Sequence, residues 1–175
     1  MNKLLIAVAL ATALLLPLFT STSLDAQSVS QDVKRCIEGV FVLDEFKKDG
    51  EIYRPPQIAG RYVVLNGAVL FIFHDRTQQS KQTSNVGFGS YTISSTTYAY
   101  HYDDYAMYTH TSTGTSVSRQ PPWEGMLPFT LVVEQDGVHL RNADTRTDFL
   151  CSPDTLVITL GPEGNYRKYR RLKSD

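Results

Sequence analysis

Residues Gly60 to Asp75 read GRYVVLNGAVLFIFHD. Asn66-Gly67 stands between two runs of β-branched and aromatic residues. Both central positions of a two-residue hairpin turn need positive φ, which Asn and Gly tolerate. Counting outward from the turn, Leu65 pairs with Ala68, Val64 with Val69, Val63 with Leu70 and Tyr62 with Phe71. Both faces of the ribbon are then largely apolar, whereas an antiparallel hairpin commonly keeps one face wet. Such a ribbon must be covered on both sides or must line an apolar space, which predicts a β-barrel or sandwich with an internal cavity. The two faces differ. Tyr62, Val64, Val69, Phe71 and Phe73 form a continuous aromatic-aliphatic face suited to a barrel interior. Arg61, Val63, Leu65, Leu70, Ile72 and His74 form a mixed face suited to a helix, an N-terminal arm or a second subunit.

The rest of the chain agrees with an all-β reading. Ten Tyr and eight Phe, with many Thr, Ser and Val, favour strands over helices. At the N-terminus, Lys3 followed by the apolar run Leu4–Leu16 and small polar residues reads as a secretion signal over residues 1–26, with cleavage after Ala26. The apolar run is too short to span a bilayer, so release into a secreted or periplasmic location is expected and stable membrane insertion is not. A net charge of −1 gives no reason to expect a nucleic-acid partner. Cys36 and Cys151 are the two cysteines, and in an oxidising compartment they are expected to form one disulfide tying the first strand to a segment near the last.

Residues 27–35 read as a polar arm or short helix, and 36–175 as one domain. Strand-like runs with turn signals recur along it: Gly39–Lys47 before Asp49-Gly50, Glu51–Arg54 before Pro55-Pro56, and then the Gly60 hairpin. Arg76–Ser84 reads as a polar loop. Val86–Ile93 and Thr96–Asp103 form a second hairpin about Ser94-Ser95, with Tyr91, Gly89 and Gly87 opposite Tyr98, Tyr100 and Tyr102. Tyrosines over glycines cover bare backbone where a strand must bend to close a barrel. Tyr105–Gln120 is ambiguous, Phe129–Asn142 is a third hairpin about Asp136-Gly137, and Thr155–Leu172 closes the chain. The count is about eight to ten strands.

Cys36-Ile37-Glu38-Gly39-Val40-Phe41-Val42-Leu43 resembles the G-x-W opening strand of lipocalins and bacterial lipocalin-like domains, with Phe41 at the Trp position. In that family an Arg of the last strand packs across the Trp, and Arg170 or Arg171 stands at the matching place. The resemblance implies an antiparallel up-and-down barrel with room for one small apolar ligand, and structural roles for Gly39, Phe41 and Arg170.

The leading functional expectation is therefore binding of a small hydrophobic or aromatic molecule, with Tyr62, Phe71, Phe73, Tyr98, Tyr100 and Tyr102 lining the interior. A barrel enzyme is the alternative: His101 as general base, oriented by Asp103, with Tyr100 as proton donor, in isomerase, cyclase or lyase chemistry. An envelope interaction protein, homodimeric through the apolar outer face of the hairpin, is a third. His74, His101 and His110 lack compact ligand spacing, so no metal is assigned, and no cofactor is implied. Gly87-Phe88-Gly89-Ser90-Tyr91 lacks the order of a serine nucleophile elbow.

Overall fold

A computed structural model describes residues 31–173; the signal segment and residues 27–30 of the arm lie outside the described residues. Helix α1 covers residues 31–37. Twelve strands follow: β1 Gly39–Lys48, β2 Glu51–Tyr53, β3 Ile58–Leu65, β4 Ala68–Asp75, β5 Lys81–Ile93, β6 Thr97–Thr111, β7 Gly114–Ser118, β8 Leu127–Glu134, β9 Gly137–Asn142, β10 Thr147–Cys151, β11 Thr155–Leu160 and β12 Asn165–Arg171. Ten of them form a closed antiparallel barrel in which neighbours in sequence are neighbours in space and β12 pairs back onto β1. The short β2 adds to the edge of β1, and β7 folds back on the far end of β6.

The β3–β4 hairpin has the register expected from its turn, with Tyr62 opposite Phe71 and Leu65 opposite Ala68. Asn66 and Gly67 take φ of 51° and 84°, as the tight turn requires. Tyr62, Val64, Val69, Phe71 and Phe73 are all buried in the core.

The second hairpin differs in detail. Its turn is centred one residue later: Ser94 N–H donates to the Thr97 carbonyl at 2.8 Å, and the Ser94 hydroxyl caps the same turn. Moving the centre by one residue moves every pair by two, so Tyr91 faces Tyr100 and Gly89 faces Tyr102. An even shift preserves the faces, and the tyrosines still point inward. A bulge then inserts Asp103 between the pairs Gly89–Tyr102 and Phe88–Asp104. The glycines make this geometry possible. A Cβ on Gly89 would lie 1.9 Å from the His101 carbonyl oxygen, and one on Gly87 would lie 2.8 Å from the Tyr102 ring. Beyond the bulge β6 continues as strand to Thr111, across the stretch whose sequence was ambiguous. Strand β5 begins at Lys81, inside the expected loop, and the short β10 carried no turn signal strong enough to mark it.

One end of the barrel is closed by α1, whose Val33 and Ile37 are buried in the core. Here the last strand meets the first. Arg171, and not Arg170, lies across Phe41, its Cζ 4.5 Å from the ring centroid, while Arg170 is exposed. The Arg171 guanidinium also donates to the carbonyls of Cys36, of Glu38 at 2.6 Å and of Pro153 at 2.9 Å. Cys36 and Cys151 are bonded, with Cα atoms 6.0 Å apart and a sequence separation of 115. In the chain-entropy view a loop of that length makes the bond worth on the order of 4–5 kcal/mol.

Arg171→Met should cost about 2–3 kcal/mol in a urea titration, because the half-buried bonds to the Cys36 and Glu38 carbonyls and the exposed one to Pro153 are all lost. Arg170→Met should stay within about 0.5 kcal/mol. Equal effects would mean the two arginines do not differ in role. Replacing both cysteines by serine should lower stability by roughly 2–5 kcal/mol in the same assay.

Candidate functional site

Alternation along each strand sends one set of side chains into the barrel, and at the end opposite α1 they do not fill it. A cavity of about 370 Å³ remains. Its wall is built from Tyr62 on β3, Phe71 on β4, Tyr100 and Tyr102 on β6, Phe149 on β10 and Ile158 and Leu160 on β11. Pro122 and Trp123, from the segment between β7 and β8, fold over the mouth. The Trp123 ring packs against Tyr100 and Tyr102, with centroids 5.2 Å away in both cases. Trp123 is thus part of the cavity wall.

The floor is a continuous aromatic network. Tyr98 packs on Tyr100 at 5.8 Å and on Tyr91 at 5.6 Å, and Phe129 stacks on Tyr100 at 5.8 Å and meets Phe149 edge-on at 5.1 Å. Burial holds these phenols in the neutral form. Tyr62 and Tyr100 are pushed well above the ordinary tyrosine range, and Tyr98, Tyr102 and Tyr169 are also raised, in each case chiefly by burial. Tyr91, raised by burial and by its hydrogen bond to Glu38, sits at about 12.

Polar groups enter the cavity at few points. Asn85 on β5, Thr145 just before β10, Thr147 at the start of β10, and Arg167 and Tyr169 on β12 line it. Thr145 is held by Asn142, whose buried amide oxygen accepts from its backbone N–H at 2.7 Å and its hydroxyl at 2.8 Å. Arg167 is the one charged side chain of the lining among the described residues. Its guanidinium lies over Phe73, with Cζ 4.1 Å from the ring centroid, and within 6 Å of the Phe71 and Phe46 centroids.

Of the six expected lining residues, Tyr62, Phe71, Tyr100 and Tyr102 face the cavity. Tyr98 lies beneath it in the aromatic floor, and Phe73 stands behind Arg167. Arg167, Asn85, Tyr105 and Phe149 were not anticipated as lining residues. Arg167 had a readable signal: a strand alternates, so once Arg171 caps the closed end, Arg167 must share its inward face. Choosing Arg170 inverts that face.

The acid–base group expected from His101, Asp103 and Tyr100 is not assembled. His101 alternates with Tyr100 and Tyr102 and therefore points outward, where its Nε2 meets Asp103 at 2.7 Å. Tyr100 points into the barrel. His74, also on the outer face, bonds Ser84 at 2.8 Å, and burial with Arg76 nearby lowers its pKa. His110 is exposed on the β6–β7 hairpin.

A different histidine has the denser surroundings. His139 on β9 is buried on the outer face, with Nδ1 3.1 Å from Asp148 and Nε2 3.1 Å from Asp136 and 3.5 Å from Glu134. Burial pulls its pKa down, but the hydrogen bonds it donates to the two aspartates outweigh that and raise it. Glu134, Asp136 and His139 place ligand atoms within 4.8 Å of one another, as a metal site would. Glu134 is also paired with Arg141 at 2.8 Å, so the group works as a charge network joining β8, β9 and β10.

Comparison with family models, with curated proteins and with solved structures returns no match, so the chemistry of the cavity rests on its own residues.

A tyrosine whose folded pKa lies above its unfolded value of about 10 stabilises the fold fully below that pH. The contribution is lost as pH rises through the folded value. In an alkaline titration followed by phenolate absorbance, Tyr62, Tyr98, Tyr100, Tyr102 and Tyr169 should ionise only together with loss of the far-ultraviolet strand signal. Ionisation of all ten tyrosines in one step near pH 10, before unfolding, would contradict the closed aromatic floor.

Proposed function

We propose that this protein is a secreted or periplasmic lipocalin-like barrel that binds a small hydrophobic or aromatic molecule in its interior. The observation that carries the reading is the cavity at the end opposite α1. It is large enough for a small molecule, walled mainly by aromatic and aliphatic side chains, and covered by Trp123. Preformed, largely apolar concavities with a few placed polar groups are the usual form of small-molecule sites. The Cys36–Cys151 bond supports an oxidising compartment, where such bonds persist. Among the described residues, no helix is long and apolar enough to cross a membrane. The lipocalin-like element is supported by the Gly39–Phe41 opening strand and the Arg171–Phe41 stack at the closed end. Binding without turnover is favoured over catalysis because the histidines and carboxylates considered for acid–base work lie on the outside of the barrel.

Trp123 is the chain's single tryptophan, so it reports occupancy of the cavity directly. Titration with the neutral fluorophore N-phenyl-1-naphthylamine should quench Trp123 by energy transfer and saturate at one equivalent. Thr147→Phe, which projects a ring into the cavity, should weaken binding roughly tenfold or more. Binding that exceeds one equivalent, leaves Trp123 unchanged or ignores the substitution would place the probe elsewhere and remove the support for an interior site.

A further inference from the structure

The cavity contains a charge with no partner. Arg167 enters it from β12, and among the described residues no carboxylate lies within ion-pair distance of its guanidinium. The acidic side chains Glu45 on β1 and Asp75 on β4 are engaged elsewhere: Glu45 with Arg54 and Tyr166, and Asp75 with Lys48 and Thr77. Among the described residues no Asp or Glu lines the cavity. The tyrosines beside Arg167 do not substitute for a carboxylate, since burial keeps them protonated.

The aromatic rings around Arg167 explain how the cation is tolerated but not how it is satisfied. Phe73, Phe71 and Phe46 offer ring faces, which attract a guanidinium but accept none of its five N–H bonds. The Nε is buried without any hydrogen-bond partner. An arginine cannot shed its proton to escape this situation, and a buried donor left unpaired is costly. Other unpartnered polar atoms gather in the same space: the hydroxyls of Tyr62 and Tyr169, which can donate or accept, and the Trp123 Nε1, which can only donate, are also buried without partners. The Asn85 Oδ1 is the one unpartnered lining atom among these that can only accept. The cavity is therefore apolar in its walls and rich in donors, with one net positive charge fixed on a strand and not on a mobile loop.

From this arrangement we infer that the ligand is an organic acid, an aromatic or otherwise apolar body bearing one carboxylate or sulfonate, with Arg167 holding the acidic group. The inference rests on the interior-binding reading above and names its ligand class. A guanidinium edge matches the two oxygens of such a group, and the stacked phenylalanines fix the guanidinium plane before the ligand arrives. The ligand body then lies against Tyr100, Tyr102, Phe149 and Trp123. The same charge selects against cations, because nothing in the lining would offset a second positive group.

A matched pair of probes tests this: N-phenyl-1-naphthylamine and its 8-sulfonate, the same ring system without and with an anion. Both are titrated into the purified protein with Trp123 quenching as the common readout. The wild-type protein should bind the sulfonate roughly tenfold or more tightly than the neutral probe. Arg167→Met should bring the ratio of the two dissociation constants close to one, and Arg167→Lys should retain part of the preference. The ratio is the readout, so a general loss of cavity shape in the variant does not imitate the result, and if Arg167→Met fails to fold, the wild-type ratio and Arg167→Lys decide. Equal affinity for the two probes in the wild type, or a preference that survives Arg167→Met, overturns the organic-acid assignment while leaving interior binding in place. Failure of both probes to reach Trp123 overturns both.

Discussion

Arg171 lies flat across Phe41 at the junction of β12 and β1, and its guanidinium holds the carbonyls of Cys36, Glu38 and Pro153. That one side chain binds the last strand, the turn before β11, and the linker between α1 and β1 into a single cluster. Because a strand alternates with period two, seating Arg171 inward also seats Tyr169 and Arg167 inward. The closure of the barrel and the charge in its cavity are thus consequences of one register. A slip by one residue would put Lys168 and Arg170 inside and expose Tyr169, which is fully buried. The disulfide between Cys36 and Cys151 reinforces the same junction from the side of β10.

The two ends of the barrel have been given different physics. At the α1 end, Val33, Ile37, Phe41, Leu43 and Leu156 are packed with almost no exposure, and polar groups there are paired. At the other end the lining residues are large aromatics that meet at angles and leave space, and several of their polar atoms lack partners. Stability is concentrated where the chain closes on itself. The unsatisfied groups are concentrated around the cavity, as expected where local satisfaction gives way to a ligand site. The network around His139 belongs to the first kind: it joins the charged side chains of three adjacent strands on the outer surface, where they pair with one another.

The hairpin at Asn66-Gly67 was legible in full, because turn chemistry and alternation each specify the register and here they agree. The hairpin at Ser94 was legible in its faces but not in its pairs. Serine and threonine stabilise several turn geometries, and the structure uses one centred a residue later. The bulge at Asp103 left no distinctive sequence mark beyond the glycines opposite it, yet it turns Tyr105 inward and so adds to the cavity wall. Tyr62, Phe71, Tyr100 and Tyr102 could be found from alternation within their own hairpins. Phe149 could not, and Arg167 only once Arg171 is seated on Phe41, since their facing depends on strands paired across the chain.

By itself the sequence determined that this is an all-β chain, where its tightest turn lies, and which aromatic side chains share an inward face, because these follow from local φ requirements and a two-residue period. Only the tertiary structure decided that Arg171 and not Arg170 stacks on Phe41, that His101 faces solvent while Tyr100 faces the cavity, and that Arg167 stands unpaired among aromatic rings. Each of these depends on how β12 closes against β1 or how β6 accommodates one extra residue. A single-residue change of register exchanges inside for outside, and long-range pairing is what selects between the two.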